Sequence, residues 1–335
     1  MTKTKGQTGL LDRLIRLLLL TFLIITPHSA QGQQLKIRTA KEIPLAGAKD
    51  RPFFFKPVTM QFSPAGLLIS ESGENCLKLV GTDGRLKLTI GKQGPGPEEF
   101  DSPMGLDLFE NRIYVADSFN RQVKIFNLEG KLLGSFRTDI IPVHLVVLAA
   151  DRIIVSNRPN PLTGQESILY CYDSRGTKKW QAVNPVPSPD SVYFSLINEV
   201  FLKKDPNGNV FLIHRYNDPQ ILKIDAEGKI TGKIKLDESY PLNRVEIPLK
   251  NGKKQIIIIC WNVAHHGDKF YLQVPDKDRR GDFVPGKEVF VIDSNGQVVE
   301  KIRFPQSVRL LATDGSTFYI INTEDELYAY GVDQE

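Results

Sequence analysis

Residues 91–136, GKQGPGPEEFDSPMGLDLFENRIYVADSFNRQVKIFNLEGKLLGSF, form one complete four-stranded unit of a repeat. Four short runs of apolar or alternating residues follow one another here, each rich in β-branched or aromatic side chains. Gly, Pro, Asn or Asp separates each run from the next, which is typical of antiparallel strands joined by tight turns. The predicted strands are Gly105 to Leu108, Arg112 to Ala116, Gln122 to Phe126 and Lys131 to Phe136.

Copies of this unit recur along the chain. Five copies contain a hairpin turn whose second residue is Gly, which adopts a positive φ at little energetic cost. The first three of these glycines are 46 residues apart, and the later spacings of 52 and 68 predict insertions in the fourth and fifth units. The turns are Asp83-Gly84, Glu129-Gly130, Arg175-Gly176, Glu227-Gly228 and Asn295-Gly296.

The same register predicts a second and a third strand in six successive units. The predicted second strands are Leu67 to Glu71, Arg112 to Asp117, Arg152 to Asn157, Val210 to His214, Lys269 to Val274 and Thr317 to Asn322. The predicted third strands are Leu77 to Val80, Val123 to Phe126, Leu169 to Tyr172, Ile221 to Ile224, Val289 to Ile292 and Leu327 to Tyr330.

The central unit resembles an NHL repeat, the building block of a class of six-bladed β-propellers. The resemblance rests on the Gly91/Gly94/Gly96 run, Phe100, Pro103, Gly105, the strand end Ile113 to Asp117, and Asn120. It departs from the family pattern at Gln122, where NHL repeats usually have Arg. The resemblance implies a rigid disc that presents loops to a protein, a peptide or a glycan. Seven-bladed WD-type propellers fit less well, because their repeats are shorter and this chain has no Trp-Asp pair.

The sixth unit stops at its third strand, which would leave an unpaired strand edge. Propellers remove such an edge by taking a strand from the other terminus. We therefore predict that the segment Leu35 to Leu45 supplies the outer strand of the last blade. The expected fold is all-β, a single six-bladed propeller over residues 31–335 closed by an N-terminal strand.

The first thirty residues have the pattern of a signal peptide. Four basic residues precede an uncharged run from Leu17 to Thr26, and small residues follow it; the run is too short to span a bilayer as a helix. We therefore expect a periplasmic or secreted protein with no stable membrane span once residues 1–30 are removed. Their removal lowers the count of Lys and Arg from 43 to 39 and of Asp and Glu from 39 to 38. This near-neutral balance argues against a nucleic-acid partner.

The three cysteines do not indicate a metal site or a disulfide framework. Their number is odd, none is spaced as C-x-x-C, and Cys76 and Cys171 lie inside strand-like runs. Cysteine in such a run usually behaves as a small buried hydrophobic residue.

The first candidate site is the face that carries the loops between strands 2 and 3. The longest of these loops are predicted at 157–167 and 274–288, and a long segment, 237–254, leads into the fifth blade on the same face. Because long loops are concentrated on one face of the propeller, we expect that face to bind a ligand or partner. Arginines are the residues of most interest, because a guanidinium can hold a carboxylate or phosphate with two hydrogen bonds. The candidates from these loops are Asp117, Arg121, Arg158, His214, Arg215 and Arg279.

The second candidate site is the mouth of the axial channel. Alignment of the first strands on Pro57, Pro103 and Pro142 predicts a ring made of Thr59, Gly105, His144, Glu199, Trp261 or Asn262, and Ser307. His144, Glu199 and Asn262 could hold Ca or Zn, as axial residues do in gluconolactonase-like propeller enzymes, which these positions resemble. The ring offers a single carboxylate, however, so a metal-dependent hydrolase or lyase is the alternative. The favoured interpretation is a non-catalytic binding or scaffold propeller without a cofactor.

Overall fold

The computed structural model describes residues 35–45, 54–160, 166–249 and 252–332. The structure described below belongs to one compact unit, Lys36–Glu335. The predicted signal peptide lies outside the described residues. Among those that are described, no helix is both long and apolar enough to cross a membrane.

Six sheets form the blades of a β-propeller, as the sequence predicts; each has four antiparallel strands, and blade 5 has a fifth, parallel strand in addition. Two N-terminal strands, β1 (Lys36–Thr39) and β2 (Lys41–Ile43), come first along the chain. Blade 1 contains β3 (Pro57–Ser63), β4 (Gly66–Glu71), β5 (Cys76–Val80) and β6 (Leu86–Ile90). Blade 2 contains β7 (Pro103–Phe109), β8 (Arg112–Asp117), β9 (Gln122–Asn127) and β10 (Leu132–Arg137). Blade 3 contains β11 (Pro142–Ala149), β12 (Arg152–Asn157), β13 (Leu169–Tyr172) and β14 (Lys178–Ala182).

The later blades carry the insertions. A helix, α1 (Ser191–Ile197), precedes blade 4, which contains β15 (Val200–Lys204), β16 (Val210–His214), β17 (Gln220–Ile224) and β18 (Ile230–Lys235). A separate hairpin of β19 (Asn243–Leu249) and β20 (Gly252–Ile258) precedes blade 5. Blade 5 contains β21 (Asn262–His266), β22 (Lys269–Lys277), β23 (Phe283–Ile292) and β24 (Val298–Arg303). Blade 6 contains β25 (Leu310–Thr313), β26 (Thr317–Ile321) and β27 (Leu327–Gly331).

The core lies between the blades rather than in one central mass. The second and third strands are almost entirely buried, as in Gly66–Glu71 and Cys76–Val80, because each sheet packs on a neighbour through both faces. Six clusters of buried aliphatic and aromatic residues fill the interfaces between adjacent blades. The three cysteines are buried and free, as expected for small apolar residues.

The five predicted turn glycines all have a positive φ, between 82° and 87°. Gly296 is also held by close packing, since a Cβ at this position would lie 2.0 Å from the carbonyl oxygen of Lys235 in blade 4. Glycine is therefore required there for both conformation and space.

The predicted closure is confirmed, and the N-terminal segment does more than was predicted. Strand β2 pairs antiparallel with β27 and completes blade 6. Strand β1, which the prediction did not separate from it, pairs parallel with β24 and adds a fifth strand to blade 5. Ala40 connects the two strands, is buried, and donates its N–H to the carbonyl of Arg303 at 2.9 Å.

Two of the predicted long loops contain regular structure. The segment 274–288 in blade 5 is mostly strand, because β22 and β23 continue as a hairpin beyond the sheet to a turn at 278–282. Much of the segment 237–254 belongs to the hairpin of β19 and β20. Helix α1 has no counterpart in the sequence-based prediction; its N-cap is Asp190, whose carboxylate accepts the N–H groups of Val192 and Tyr193.

Candidate functional site

A funnel opens at the centre of the face that carries the loops between strands 2 and 3. Its volume is about 630 Å³, and we call it the axial funnel. The starts of the first strands and the loops that follow second strands form its wall, which is the face that the sequence predicts to bind. The lining residues used below are Lys56, His144, Arg158, Ser195, Glu199, Arg215, Trp261, Asn262 and Arg309.

Positive charge dominates the lining of the axial funnel. Four lining residues are basic, and among the described lining residues Glu199 is the one carboxylate. Two of the basic groups are compensated by a nearby carboxylate. The Arg215 guanidinium pairs with Glu199 at 2.7 Å, and Arg309 forms an ion pair with Asp325.

Arg215 is fixed in place by its neighbours. Its guanidinium carbon lies 4.7 Å from the ring centroid of Trp261 and 5.4 Å from that of Tyr216, which is favourable cation–π geometry. Burial lowers the pKa of Arg215, but the carboxylate of Glu199, together with smaller effects of Tyr216 and Cys260, more than offsets this, so the pKa is raised. Arg215 is therefore a permanent cation, and its pair with Glu199 neutralises much of its charge.

Arg158 and Lys56 are the uncompensated cations of the axial funnel. Both are exposed, and no carboxylate within the described residues pairs with either side chain. The Lys56 ammonium lies 5.4 Å from the ring centroid of Phe55, on the residue next to it. These two side chains are positioned to meet an anionic group that enters the funnel.

His144 lies deeper, on strand β11, where its ring is 5.5 Å from that of Phe201. Burial lowers the pKa of His144 to about 3, with further contributions from the positive charges of Lys203, Arg215 and Arg158. The imidazole is therefore neutral at physiological pH.

The predicted Ca or Zn ligands do not fit a divalent cation. The carboxylate of Glu199 is occupied by Arg215, and the basic groups that depress the pKa of His144 would also repel a metal ion. Within the described residues, one group of His, Cys, Asp or Glu side chains is close enough to share a metal: Glu71, Glu74 and Cys76. The Lys78 ammonium already stands between those carboxylates, at 2.6 and 2.7 Å.

Helix α1 and the hairpin of β19 and β20 are joined to each other beside the axial funnel. Asn217, in the loop after β16, accepts the N–H of Ile257 at 2.7 Å and donates to the Tyr193 hydroxyl at 3.0 Å. The Lys254 ammonium lies 3.7 Å from the centroid of the Tyr193 ring. Asn217 has a φ of 64°, which asparagine tolerates better than most residues. The insertions of blades 4 and 5 thus form one connected wall.

The structure brings six of the predicted site residues to the axial funnel: His144, Arg158, Glu199, Arg215, Trp261 and Asn262. It places Asp117 and His214 elsewhere, in buried positions at the ends of second strands. Asp117 accepts the N–H of Asp101 at 2.7 Å and pairs with the fully buried Lys124 at 2.9 Å.

Asp117 belongs to a repeated structural contact. Glu71 accepts the N–H of Phe55, and Asn157 accepts that of Ile141 at 3.3 Å. Each pair connects the end of a second strand with the segment that leads into the first strand of the same blade. These polar side chains stabilise the blades, which explains why they recur in the sequence.

The other predicted residues also lie away from the axial funnel. Arg121 is an exposed turn residue with a φ of 51°, and Arg279 lies in the exposed turn of the blade 5 hairpin. Thr59 lines a second, lower cavity in the channel. In blade 6 the funnel is lined by Arg309 and Leu310 instead of Ser307, because strand 1 begins at Leu310, five residues after Pro305.

Sequence reasoning missed Lys56, Ser195 and Arg309. Lys56 directly precedes Pro57, at the alignment point of the first strands, so its position was within reach of the repeat pattern. Ser195 lies on the unpredicted helix. Arg309 could not be placed because the proline that marks the first strand in blades 1–3 is displaced in blade 6.

Comparison with known proteins supports the fold. The family model of DUF5128, described as a 6-bladed beta-propeller, matches residues 59–245. NHL repeat-containing protein 2 of Bos taurus is 27% identical over 85 residues, which are 23% of this chain and 12% of the bovine protein. The chain thus matches a small part of that relative's length, and the resemblance to NHL repeats is confirmed at this level.

Several solved structures share the architecture at low sequence identity. A protein from Bacteroides fragilis superposes with a TM-score of 0.58 at 12% identity, covering 90% of this chain and all of the other. A DUF4221 family member from Bacteroides vulgatus gives 0.57 at 10% identity, covering 88% and 96%. Virginiamycin B lyase from Staphylococcus aureus gives 0.53 at 11% identity, covering 88% and 99%. Identities this low show a common fold and carry no information on activity.

Proposed function

We propose that this chain, which belongs to the DUF5128 family of 6-bladed beta-propellers, is a non-catalytic binding protein whose axial funnel recognises an acidic group. The acidic group would be carried by a protein, a peptide or a glycan. On the strength of the N-terminal pattern alone, we propose that binding takes place in the periplasm or outside the cell.

The observation that carries the proposal is the charge imbalance of the axial funnel. Arg158 and Lys56 lack carboxylate partners within the described residues, whereas Arg215 and Arg309 are paired. A concave site lined by one sign of charge concentrates ligands of the opposite sign. The Asn262 side chain on the same wall can donate an additional hydrogen bond to an oxyanion through its amide NH₂.

No observation favours the alternative of a metal-dependent hydrolase or lyase. Glu199 is engaged by Arg215, and His144 has positive charges around it, so neither is suited to a divalent cation. We therefore propose binding as the function of the axial funnel and do not propose a catalytic role.

The proposal is tested by removing the two uncompensated charges together, in the variant Lys56→Gln/Arg158→Gln. The ligands are a short oligoglutamate and a short oligogalacturonate, each fluorescently labelled, with a Gly-Ser peptide and a neutral oligosaccharide for comparison. We expect binding of at least one acidic ligand to weaken by tenfold or more, since each charge-assisted hydrogen bond contributes about 1.5–3 kcal/mol.

The matched control removes one Arg and one Lys from the opposite face, in Arg175→Gln/Lys229→Gln. Both residues are exposed in turns between strands 3 and 4. This variant should bind like the unmodified protein, and both variants should keep its melting temperature. Equal losses in both variants, or neither acidic ligand binding better than its neutral counterpart, would contradict the proposal.

A further inference from the structure

A second cavity lies below the axial funnel, between the middle and far ends of the first strands. Its volume is about 220 Å³, and we call it the lower channel. Thr59, Asp107, His144, Lys203 and His265 are among its lining residues. His144 lines both cavities, so it marks the level at which they meet.

Lys203 and Lys204 are neighbours on strand β15 with opposite surroundings. The Lys204 ammonium is fully engaged: it lies 2.6 Å from the Asp107 carboxylate and donates to the Val147 carbonyl at 2.8 Å. The Lys203 ammonium has no hydrogen bond or ion pair with any residue in the described part of the chain. Lys203 is nevertheless only partly exposed, and it lines the lower channel.

Asp107, the lower channel's carboxylate, has no capacity left for Lys203. One of its oxygens accepts from the Gln61 side chain and from the N–H of Leu108, both at 2.9 Å. The other accepts from the N–H of Val147 at 2.7 Å and from Lys204 at 2.6 Å. Four donors therefore occupy this carboxylate.

The histidines of the lower channel cannot balance the charge of Lys203. Three histidines line it, His144, His265 and His266, and an imidazole is either neutral or positively charged, so it cannot act as a counter-ion. Burial lowers the pKa of His144 to about 3 and that of His265 to about 4, so these two are neutral near pH 7. Burial also lowers the pKa of Lys203 to about 8, against the opposing effect of Asp107, which leaves the amine mostly protonated at neutral pH. A cation removed from bulk water without a counter-ion is unfavourable.

We propose that the lower channel is a binding site for a small anion, of the size of formate or chloride, with Lys203 as its counter-ion. Besides the ammonium, the cavity offers the Thr59 hydroxyl, which has no other hydrogen-bond partner in the described structure. This site is distinct from the anion-binding site proposed in the axial funnel, since His144 is the one lining residue that the two cavities share among the described residues.

The experiment is a titration of protein labelled with ¹³C at lysine Cε, using sodium formate at constant ionic strength maintained with sodium HEPES, whose anion is bulky. We expect one lysine signal to shift and saturate, with the pKa of that amine rising as formate binds. The same signal should be missing from Lys203→Met and from Lys203→Gln, and those variants should show no saturable formate response.

Two controls separate this site from the axial funnel. Saturable formate binding should persist in Lys56→Gln/Arg158→Gln, because neither residue lines the lower channel. The formate result therefore does not depend on whether the axial funnel binds an acidic ligand. Absence of a saturable shift in the unmodified protein would overturn the proposal. A saturable formate response that persists in Lys203→Met would also overturn it, because the anion would then be bound elsewhere.

Discussion

At the scale of single residues, what distinguishes the arginines of this protein is whether a carboxylate accompanies them. Arg215 has a carboxylate partner and stacks on Trp261, so it serves as part of the wall of the axial funnel. Arg158 is exposed and has no such partner in the described structure, so it is available to a ligand. Residue type alone does not separate these roles, and for that reason the sequence suggests both arginines equally.

Glu199 provides a direct test at this scale. The substitution Glu199→Gln removes the carboxylate and leaves the Arg215 charge uncompensated, so an acidic ligand should bind about three- to tenfold more tightly. The loss of this partly exposed pair should lower the free energy of unfolding by at most about 1 kcal/mol. Fluorescence titration with oligoglutamate and thermal unfolding measure the two effects.

A conservative change offers the matched comparison. Glu199→Asp keeps the negative charge, so its affinity for oligoglutamate should stay closer to that of the unmodified protein than the affinity of Glu199→Gln. Weaker binding of oligoglutamate in Glu199→Gln would show that Glu199 serves the ligand directly, contrary to our account.

At the scale of secondary-structure elements, the repeat and the positions of the insertions were predictable, but the secondary structure of the insertions was not. Strands 2 and 3 are buried on both faces and appear in the sequence as short apolar runs, so their bounds were predicted closely, as for Arg112–Asp117. The hairpin of β19 and β20 is largely exposed and was predicted only as a long segment, although the alternation of polar and apolar residues in Asn243–Leu249 is typical of a strand. The Asn251-Gly252 pair in the sequence is a second signal of a hairpin.

The residues of the candidate site could be predicted where the repeat pattern is regular, and not where it is irregular. Alignment on proline placed His144, where the first strand begins at Pro142, but it failed in blade 6, where Pro305 lies well before the strand. The polar residues at the ends of second strands, such as Asp117, resemble loop ligands in sequence. In the structure they are buried partners of backbone N–H groups, a distinction that depends on tertiary contacts.

Because the N-terminal strands pair with both blade 5 and blade 6, a substitution at Ala40, which connects them, should strongly reduce stability. Ala40 lies between β1 and β2 and belongs to the buried cluster that joins blades 5 and 6. Ala40→Glu would place an unpaired charge in this cluster and should lower the free energy of unfolding by about 2–4 kcal/mol. Chemical denaturation measures the change.

Thr39→Glu is the matched control for the closure, since it adds the same side chain one residue earlier at an exposed position. It should change the free energy of unfolding by about 0.5 kcal/mol or less. Equal stability of the two variants would mean that the N-terminal strands contribute little to closing the propeller.

At the scale of the whole molecule, the blades position a charged concave surface on a rigid frame. Each blade contributes the start of its first strand to the axis, and loops that follow second strands add to the wall, so residues far apart in sequence, such as Lys56 and Arg158, line one cavity. The insertions in blades 4 and 5 add a wall on the same face. Fold similarity to propellers with other activities does not determine the ligand, which depends on these side chains.

The central claim, that the axial funnel binds an acidic group, is tested most directly by following arginine side-chain Nε–Hε NMR signals while oligoglutamate is added. Our account predicts a saturable shift of the Arg158 signal, with Arg175 and Arg279 unchanged because both lie in exposed turns away from the funnel. Shifts at Arg175 or Arg279 with an unchanged Arg158 signal would contradict it.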